Sequence, residues 1–167
     1  MTGVVLRDAR HDGGDERFLW LMLLEAASWP PAEERLDLAE ASADPSLARY
    51  VAGWGREGDH GVIAESGEVP VGAVWWRLYT AEDHGYGFID PSIPELAIAV
   101  DASWRGQGVG TALLDALIAR ASSEPGVPAL SLSVEFDNPA SRLYERLGFE
   151  RVGRVDGAWT MRRWTRS

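Results

Sequence analysis

The order of apolar and polar positions along the chain predicts a helical first third. Val4–Ala9 has the pattern of a strand, and the apolar run Phe18–Ala27 is typical of a helix. Pro31 is well placed to open a second helix, because proline is favoured at the first helical position. A third, short helix is predicted to begin at Asp44-Pro45, where a capping residue precedes a proline.

From residue 60 the pattern changes to strands. Two β runs, His60–Ser66 and residues 69–79, flank a Gly-Glu pair and predict an antiparallel hairpin. The segment Thr80–Pro94 is polar and rich in glycine and proline, which predicts a loop. The next run, Glu95–Val100, is short and nearly all apolar, so we expect a strand buried on both faces.

The last third alternates between helix and strand. An apolar stripe runs along the predicted helix Val109–Ser122, and the strand Ala129–Glu135 follows it. A helix from Asn138 to Gly148 and a hairpin around residues 156–157 complete the pattern. The crossover from residue 95 to residue 135 and the flanking hairpins together predict one α+β domain with a mixed sheet.

Composition narrows the range of functions. The formal net charge is −10, which argues against nucleic-acid binding and favours cationic partners such as amines. The chain has no cysteine and only three scattered histidines, so we expect no disulfide, no thiolate nucleophile and no metal site. No apolar run reaches the roughly 18 residues of a membrane span, and the N-terminus does not resemble a signal peptide. We therefore expect a cytoplasmic protein that does not bind a membrane.

The stretch WRGQGVGT, residues 104–111, predicts an anion site. Gly106, Gly108 and Gly110 carry no side chains, so their N–H groups can approach a ligand closely. The predicted helix that starts here adds unpaired donors and partial positive charge. A phosphate or pyrophosphate is the most natural ligand of such a turn.

Two known phosphate-binding motifs fit this stretch poorly. A P-loop needs a lysine, and this chain contains none. A dinucleotide fingerprint has the spacing G-x-G-x-x-G, whereas the spacing here is G-x-G-x-G. Glu135 does end the next strand, where a ribose-binding acid would fall, so a nucleotide-dependent oxidoreductase stays open as an alternative.

Two segments resemble one known family. AVDASWRGQGVGTALL is similar to the acetyl-CoA signature of the GNAT N-acetyltransferase superfamily, and Arg105, Gly108 and Gly110 fill its R/Q-x-x-G-x-G/A core. SVEFDNPASRLYERLGFERVG resembles the later family segment, in which an asparagine opens a helix, a tyrosine follows and Leu-Gly-Phe ends it. The resemblance covers residues 62–163 and is weak over the first sixty residues.

The resemblance implies a single GNAT domain over residues 1–167. Its sheet would be mostly antiparallel and flanked by helices, with a splayed central strand pair. Residues 1–58 would form variable helices on the substrate side, and residues 60–165 the cofactor-binding core. The family's co-substrate, acetyl-CoA, would lie in the slot between the splayed strands.

The resemblance also implies which residues bind acetyl-CoA. The turn would hold the pyrophosphate, the strand before it would pair with the pantetheine arm, and a backbone N–H near Ile98 would polarise the thioester carbonyl. Three residues of the later segment would face the cofactor as well. The full set is Ile98, Ala99, Val100, Arg105, Gly106, Gln107, Gly108, Val109, Gly110, Thr111, Asn138, Ser141 and Tyr144.

Two residues are candidates for proton transfer. The family places a tyrosine at the position of Tyr144, with its hydroxyl toward the CoA sulfur, where a protonated phenol can donate to the leaving thiolate. Glu95 begins the central strand and could take the proton of the attacking amine through a water; Asp90 and Asp101 are weaker candidates. Without a cysteine for an acetyl-enzyme, we expect direct transfer in a ternary complex.

The acceptor is predicted only by class. Trp29, Trp75 and Tyr86 lie in segments that flank the acceptor side in the family, and an aromatic, acidic pocket suits a cationic amine. The sequence thus predicts an N-acetyltransferase that acts on a primary amine of a small molecule or a peptide. The alternative is a non-catalytic acyl-CoA-binding sensor or regulatory domain. A homodimer is possible in this fold.

Overall fold

The structure is a computed structural model that describes residues 3–27 and 36–166. Seven strands form one sheet, and helices cover both of its faces. The strands are β1 (Val4–Asp8), β2 (His60–Ser66), β3 (Val69–Arg77), β4 (Glu95–Val100), β5 (Ala129–Glu135), β6 (Glu150–Val155) and β7 (Ala158–Trp164). The helices are α1 (Glu16–Ala26), α2 (Leu38–Ala43), α3 (Pro45–Ala48), α4 (Val109–Ser123) and α5 (Ala140–Arg146).

The sheet is mixed and mostly antiparallel, as predicted. Its strand order is β1-β2-β3-β4-β5-β7-β6, and among the described strands only β4 and β5 run parallel as neighbours. These two strands are joined by the crossover through α4, since parallel neighbours cannot be joined by a short hairpin. The hairpins β2–β3 and β6–β7 flank this central pair.

The central pair β4–β5 is splayed, which confirms the prediction from the family resemblance. The two strands are in register only at Glu95 and Ser131, where the Ser131 N–H donates to the Pro94 carbonyl over 3.1 Å. Beyond that point β4 and β5 separate toward their carboxyl ends. A slot is left in the middle of the sheet.

The core has two parts, one on each face of the sheet. On one face α4 packs the predicted stripe against the sheet and α5: Leu113, Leu114, Leu117 and Ala121 are buried, and Ile118 is partly buried. On the other face α1 buries Leu19, Met22 and Leu23. Their spacing of three and four residues places these side chains on one side of the helix.

Several local signals have the predicted effect. Asp44 caps α3 by accepting from the Ser46 N–H, and Pro45 takes the first helical position. Gly148 follows α5 with φ of +94°, a left-handed conformation that favours glycine and ends the helix. The helix start predicted at Pro31 lies outside the described residues; α2 begins at Leu38 behind a capping box formed by Asp37.

The prediction that β4 is buried on both faces is only partly correct. Glu95, Leu96 and Ala99 are buried, but Ala97, Ile98 and Val100 are half-exposed. The reason is the separation from β5, which removes the neighbour that would cover one edge of β4.

Candidate functional site

The slot between β4 and β5 opens into a cleft of about 1120 Å³. Its floor and walls come from these two strands, the end of α1, the start of α5 and the β6–β7 turn. The glycine turn, with Arg105 and Gly106, lies at one end, and Glu95 lies at the other. The cleft therefore connects the predicted anion site to a carboxylate.

The glycine turn is open to a ligand. Gly106 and Gly108 have φ of +73° and +84°, in the left-handed region that favours glycine. A Cβ added to either would meet no heavy atom of the described residues within 4 Å, so these residues leave the space beside both glycines open. Gly110 is more enclosed, because a Cβ there would contact the Leu143 and Val100 side chains at 3.9 Å.

The start of α4 supplies unpaired donors at this turn. The helix begins at Val109, and Ala112 is the first residue whose N–H reaches a helical acceptor, the Gly108 carbonyl at 3.1 Å. The N–H groups of residues 108–111 therefore have no acceptor within the helix. Together with the dipole of this 15-residue helix, they form a site suited to a phosphate.

The side chains of the turn contribute unequally. Arg105 lines the cleft, where its guanidinium forms an ion pair with Glu25 over 2.8 Å and its Nε donates to the Val100 carbonyl over 3.2 Å. Gln107 is exposed and donates to the Ser103 carbonyl. The Val109 side chain belongs to the core, so only its backbone can contact a ligand. Thr111 is half-buried on the first turn of α4.

The splayed edge of β4 offers backbone groups to the cleft. The Asp101 N–H donates toward β3, to the Val71 carbonyl over 2.8 Å, whereas the Pro94 carbonyl points toward β5. Because backbone N–H and carbonyl groups alternate between the two edges of a strand, those of Ile98 and Val100 point into the slot. The Val100 carbonyl does so, since the Arg105 side chain reaches it there. Ile98 thus has an N–H and a carbonyl available for an extended ligand.

Glu95 is a buried carboxylate with hydrogen bonds to only one of its two oxygens among the described residues. It is 2 % exposed, and its Oε2 accepts from the Tyr50 hydroxyl at 2.5 Å and from the Gly87 N–H at 3.0 Å. Its Oε1 has no hydrogen-bond partner among the described residues. Burial raises the pKa of the Glu95 carboxyl above its usual range, which makes it a better proton acceptor than an exposed glutamate.

The two weaker base candidates, Asp90 and Asp101, differ from Glu95 in their exposure and in the direction of their pKa shift. Asp90 and Asp101 are exposed, and each accepts from the hydroxyl and the N–H of a serine two residues further along. These hydrogen bonds lower the pKa of both carboxyls. Neither aspartate lines the cleft, so the geometry favours Glu95.

Tyr144 lines the cleft from α5 and is 9 % exposed. Burial, and then the charge of Glu135, raises the pKa of Tyr144 to about 12. The phenol is therefore protonated at neutral pH and is a donor. Asn138 also lines the cleft, and its side chain accepts from the N–H of Ala140, the first residue of α5, at 2.9 Å. Ser141 is buried and does not line the cleft.

Of the predicted acceptor-side residues, Tyr86 lines the cleft and is 45 % exposed. Trp75 does not line it: the side chain is 1 % exposed and packs in the core beneath α1. Both faces of β3 are covered. An apolar run in the sequence does not distinguish such a strand from one that forms the wall of a cleft. The Trp75 indole N–H donates to the Tyr50 carbonyl over 2.9 Å, so a direct substrate contact by Trp75 does not fit the structure. Trp29 lies outside the described residues.

Tyr50 is a cleft residue that the sequence analysis missed. It follows α3 and lies 45 positions before Glu95, so no local pattern joins the two. A tyrosine next to apolar residues at the end of a short helix is ordinarily a core residue. Only the folded chain brings its hydroxyl to the carboxylate.

The described residues contain no cluster of histidine, aspartate and glutamate that could hold a metal ion. Within residues 3–27 and 36–166, none of the helices has the length and apolar character of a membrane span.

The sequence matches known acetyltransferases. The model of the acetyltransferase (GNAT) family matches residues 7–149. A mycothiol acetyltransferase from Nocardiopsis dassonvillei is 31% identical over 137 residues, which are 81% of this chain and 40% of that protein. An L-2,4-diaminobutyric acid acetyltransferase from Streptomyces coelicolor is 29% identical over 100 residues, 57% of this chain and 52% of that protein. The chain thus spans about half the length, or less, of these curated relatives.

Solved structures share the fold. The aminoglycoside acetyltransferase AAC(6')-Ib in complex with ribostamycin and coenzyme A has a TM-score of 0.63 and 28% identity, over 97% of this chain and 93% of that one. The fold, the splayed strands, the glycine turn and the matching family model agree. This chain belongs to the GNAT acetyltransferase family. The oxidoreductase alternative does not fit, because the described sheet has one parallel strand pair where a dinucleotide-binding fold has a parallel sheet.

Proposed function

We propose that the chain is an acetyl-CoA-dependent N-acetyltransferase that moves an acetyl group to a primary amine by direct transfer in a ternary complex. The observation that carries this proposal is the cleft itself, which runs from an open anion site to a buried carboxylate with an oxygen that has no hydrogen-bond partner among the described residues. A ligand with a pyrophosphate at one end and a reactive acyl group at the other matches such a cleft. Acetyl-CoA is a ligand of this kind, and related solved structures contain it or coenzyme A.

In this proposal the turn binds the pyrophosphate. The N–H groups of residues 108–111 and the Arg105 guanidinium contact the phosphate oxygens, while Gly106 and Gly108 leave room for them. The pantetheine arm lies along β4 as an extra strand, with its amides paired to Ile98 and Val100. Asn138 contacts the same arm from the start of α5.

The chemistry requires one base and one acid. The amine nitrogen attacks the thioester carbonyl carbon, and its proton passes to Glu95 Oε1, directly or through a water. The carbon–sulfur bond then breaks, and the thiolate takes a proton from the Tyr144 hydroxyl. Burial makes Glu95 a stronger base, and Tyr144 is protonated at neutral pH, so each group is in the protonation state that its role requires.

The acceptor class follows from the other end of the cleft. Tyr50 and Tyr86 provide aromatic walls there, and Glu95 provides negative charge. We propose a small-molecule primary amine as acceptor, which the names of the diaminobutyric acid acetyltransferase and the ribostamycin complex support. A peptide amine would use the same groups. A cytoplasmic location, where acetyl-CoA is made, is consistent with this activity.

The test is amine-dependent release of the CoA thiol from acetyl-CoA, measured with a panel of diamines, amino acids and aminoglycosides. We expect Glu95→Gln and Tyr144→Phe to lower kcat by about 10²–10⁴-fold, as expected for loss of a general base or acid. Tyr79→Phe is the matched control, because the Tyr79 hydroxyl is buried, donates to the Arg49 carbonyl and does not line the cleft. Acetyl-CoA binding without turnover on any amine would instead indicate a sensor domain.

A further inference from the structure

We propose that Tyr50 is a positioning residue for the Glu95 carboxylate, which fixes one oxygen and leaves the other to take up the proton of the acceptor amine. The proposal rests on the function proposed above, in which Glu95 is the base. It concerns a residue that does not belong to either of the two sequence motifs.

The hydrogen-bond directions are determined by the donors around Tyr50. Its hydroxyl accepts from the Tyr86 N–H at 3.0 Å, so the phenolic proton is directed to Glu95 Oε2, which lies 2.5 Å away. The Gly87 N–H donates to the same Oε2 at 3.0 Å. With two donors on Oε2 and, within residues 3–27 and 36–166, none on Oε1, the oxygen that can take up a proton is Oε1.

The backbone around Tyr50 is anchored to β3. The Trp75 indole donates to the Tyr50 carbonyl at 2.9 Å, and Arg77 donates to the carbonyls of Arg49 and Ala52 at 3.0 and 2.8 Å. Arg77 is itself held by Asp59 through two contacts of 3.0 Å. Both side chains of this pair are 1 % exposed. These contacts hold the Tyr50 ring in place before any substrate arrives.

Two glycines let the loop between β3 and β4 pack directly on Tyr50 and Glu95. A Cβ on Gly85 would lie 2.6 Å from Glu95 Oε1 and would overlap the Tyr50 hydroxyl. A Cβ on Gly87 would lie 2.6 Å from the Leu132 carbonyl carbon of β5. The sequence GYG in this loop is therefore required for the close approach of its N–H groups to Tyr50 and Glu95.

The charge of Glu95 depends on opposing contributions. Burial raises the pKa of the Glu95 carboxyl, and the hydrogen bond from Tyr50 is the largest influence that lowers it. The Gly87 N–H also lowers it. Two other charged or titratable groups, Arg49 and His84, also lower it. Tyr79, two residues after β3, lies nearby as well, and Arg77 is opposite Glu95 in the β3–β4 register but is paired with Asp59.

The test compares Tyr50→Phe with Tyr79→Phe. Both replace a buried tyrosine and keep the ring; the two rings pack edge to face with centroids 6.0 Å apart. The Tyr79 hydroxyl donates to the Arg49 carbonyl, which also accepts from Arg77, so the control removes a hydroxyl without leaving a buried acceptor unpaired. The readout is the titration of Glu95 by NMR in full-length protein labelled with ¹³C at the glutamate carboxyls. The Glu95 signal is assigned as the one lost in Glu95→Gln.

We expect the midpoint of the Glu95 titration in Tyr50→Phe to move to higher pH by about one pH unit, which corresponds to the free energy of a hydrogen bond to a charged group. The acid limb of kcat/KM against pH should move in the same direction, while Tyr79→Phe leaves both unchanged. A Glu95 titration that is the same in Tyr50→Phe and wild type overturns the proposal. A shifted titration with an unshifted acid limb overturns it too.

The proposal can still be tested if the Tyr50 variant does not fold or if the protein is inactive. If Tyr50→Phe does not fold, wild-type protein with its tyrosines replaced by 3-fluorotyrosine is used, since this more acidic phenol donates more strongly. The Glu95 titration should then move to lower pH, and no movement overturns the proposal. If wild-type protein transfers no acetyl group to any amine, the proposed function fails, but the carboxyl titration still decides whether Tyr50 controls the charge of Glu95.

Discussion

Gly108→Glu tests the glycine turn by placing a carboxylate where the pyrophosphate should bind. Gly108 has φ of +84° at the N-cap of α4, and a side chain there would project into open space. The substitution therefore adds charge and backbone strain without a clash. Gly67→Glu is the matched control, because Gly67 also has a positive φ of +56° with nothing within 4 Å, in the β2–β3 turn.

The two effects of Gly108→Glu have different sizes. Left-handed backbone costs a residue with a side chain about 1–2 kcal/mol, which for a chain of this size lowers Tm by roughly 2–8 °C in both variants. A carboxylate about 5 Å from a phosphate charge repels it by roughly 3 kcal/mol at an effective dielectric constant of about 20. We therefore expect Gly108→Glu to weaken acetyl-CoA binding by at least about a hundredfold.

The assay is thermal unfolding with and without acetyl-CoA. Bound ligand raises Tm because it binds only the folded state. Wild type and Gly67→Glu should both gain stability when acetyl-CoA is added, and Gly108→Glu should not, although all three are folded. A Gly108→Glu variant that gains as much as the control would refute the assignment of the pyrophosphate to this turn.

Three other variants test neighbouring contacts. Glu25→Gln releases Arg105 from an exposed ion pair worth about 0.2–1 kcal/mol, so acetyl-CoA should bind up to about fivefold more tightly in a calorimetric titration; equal or weaker binding contradicts competition for Arg105. Glu95→Gln should raise Tm more at pH 8 than at pH 5. Because the pKa of Glu95 is raised in the folded state, the folded protein binds more protons than the unfolded chain in this range, and the wild-type protein loses stability as pH rises. An equal gain in Tm at both pH values would contradict this. Gly87→Ala should lower Tm well beyond Gly126→Ala, since only the first Cβ meets β5 backbone at 2.6 Å; similar Tm values would contradict this packing.

Elements with strong local signals could be predicted from the sequence. The predicted strand Ala129–Glu135 has the same bounds in the structure, and α4 ends within one residue of its prediction. Period, capping residues and turn glycines act over a few positions, so they are visible in the chain itself. The anion site was predictable for the same reason, because the glycines and the helix start are adjacent.

Contacts between distant segments could not be predicted in this way. The pairing of Tyr50 with Glu95 depends on the anchoring of residues 49–52 to β3. Trp75 was expected at the cleft, but apolar alternation does not say which side of a sheet is covered by a helix and which is left open. The splayed strands were expected from the family resemblance alone, because an apolar strand shows no sign of where its neighbour leaves it.

The most direct test of the central claim is a calorimetric titration of the wild-type protein with acetyl-CoA, beside NAD and inorganic phosphate. We expect micromolar or tighter binding of acetyl-CoA, weak binding of phosphate and no binding of NAD. Failure of the folded protein to bind acetyl-CoA would contradict the proposed function and the role of the glycine turn together.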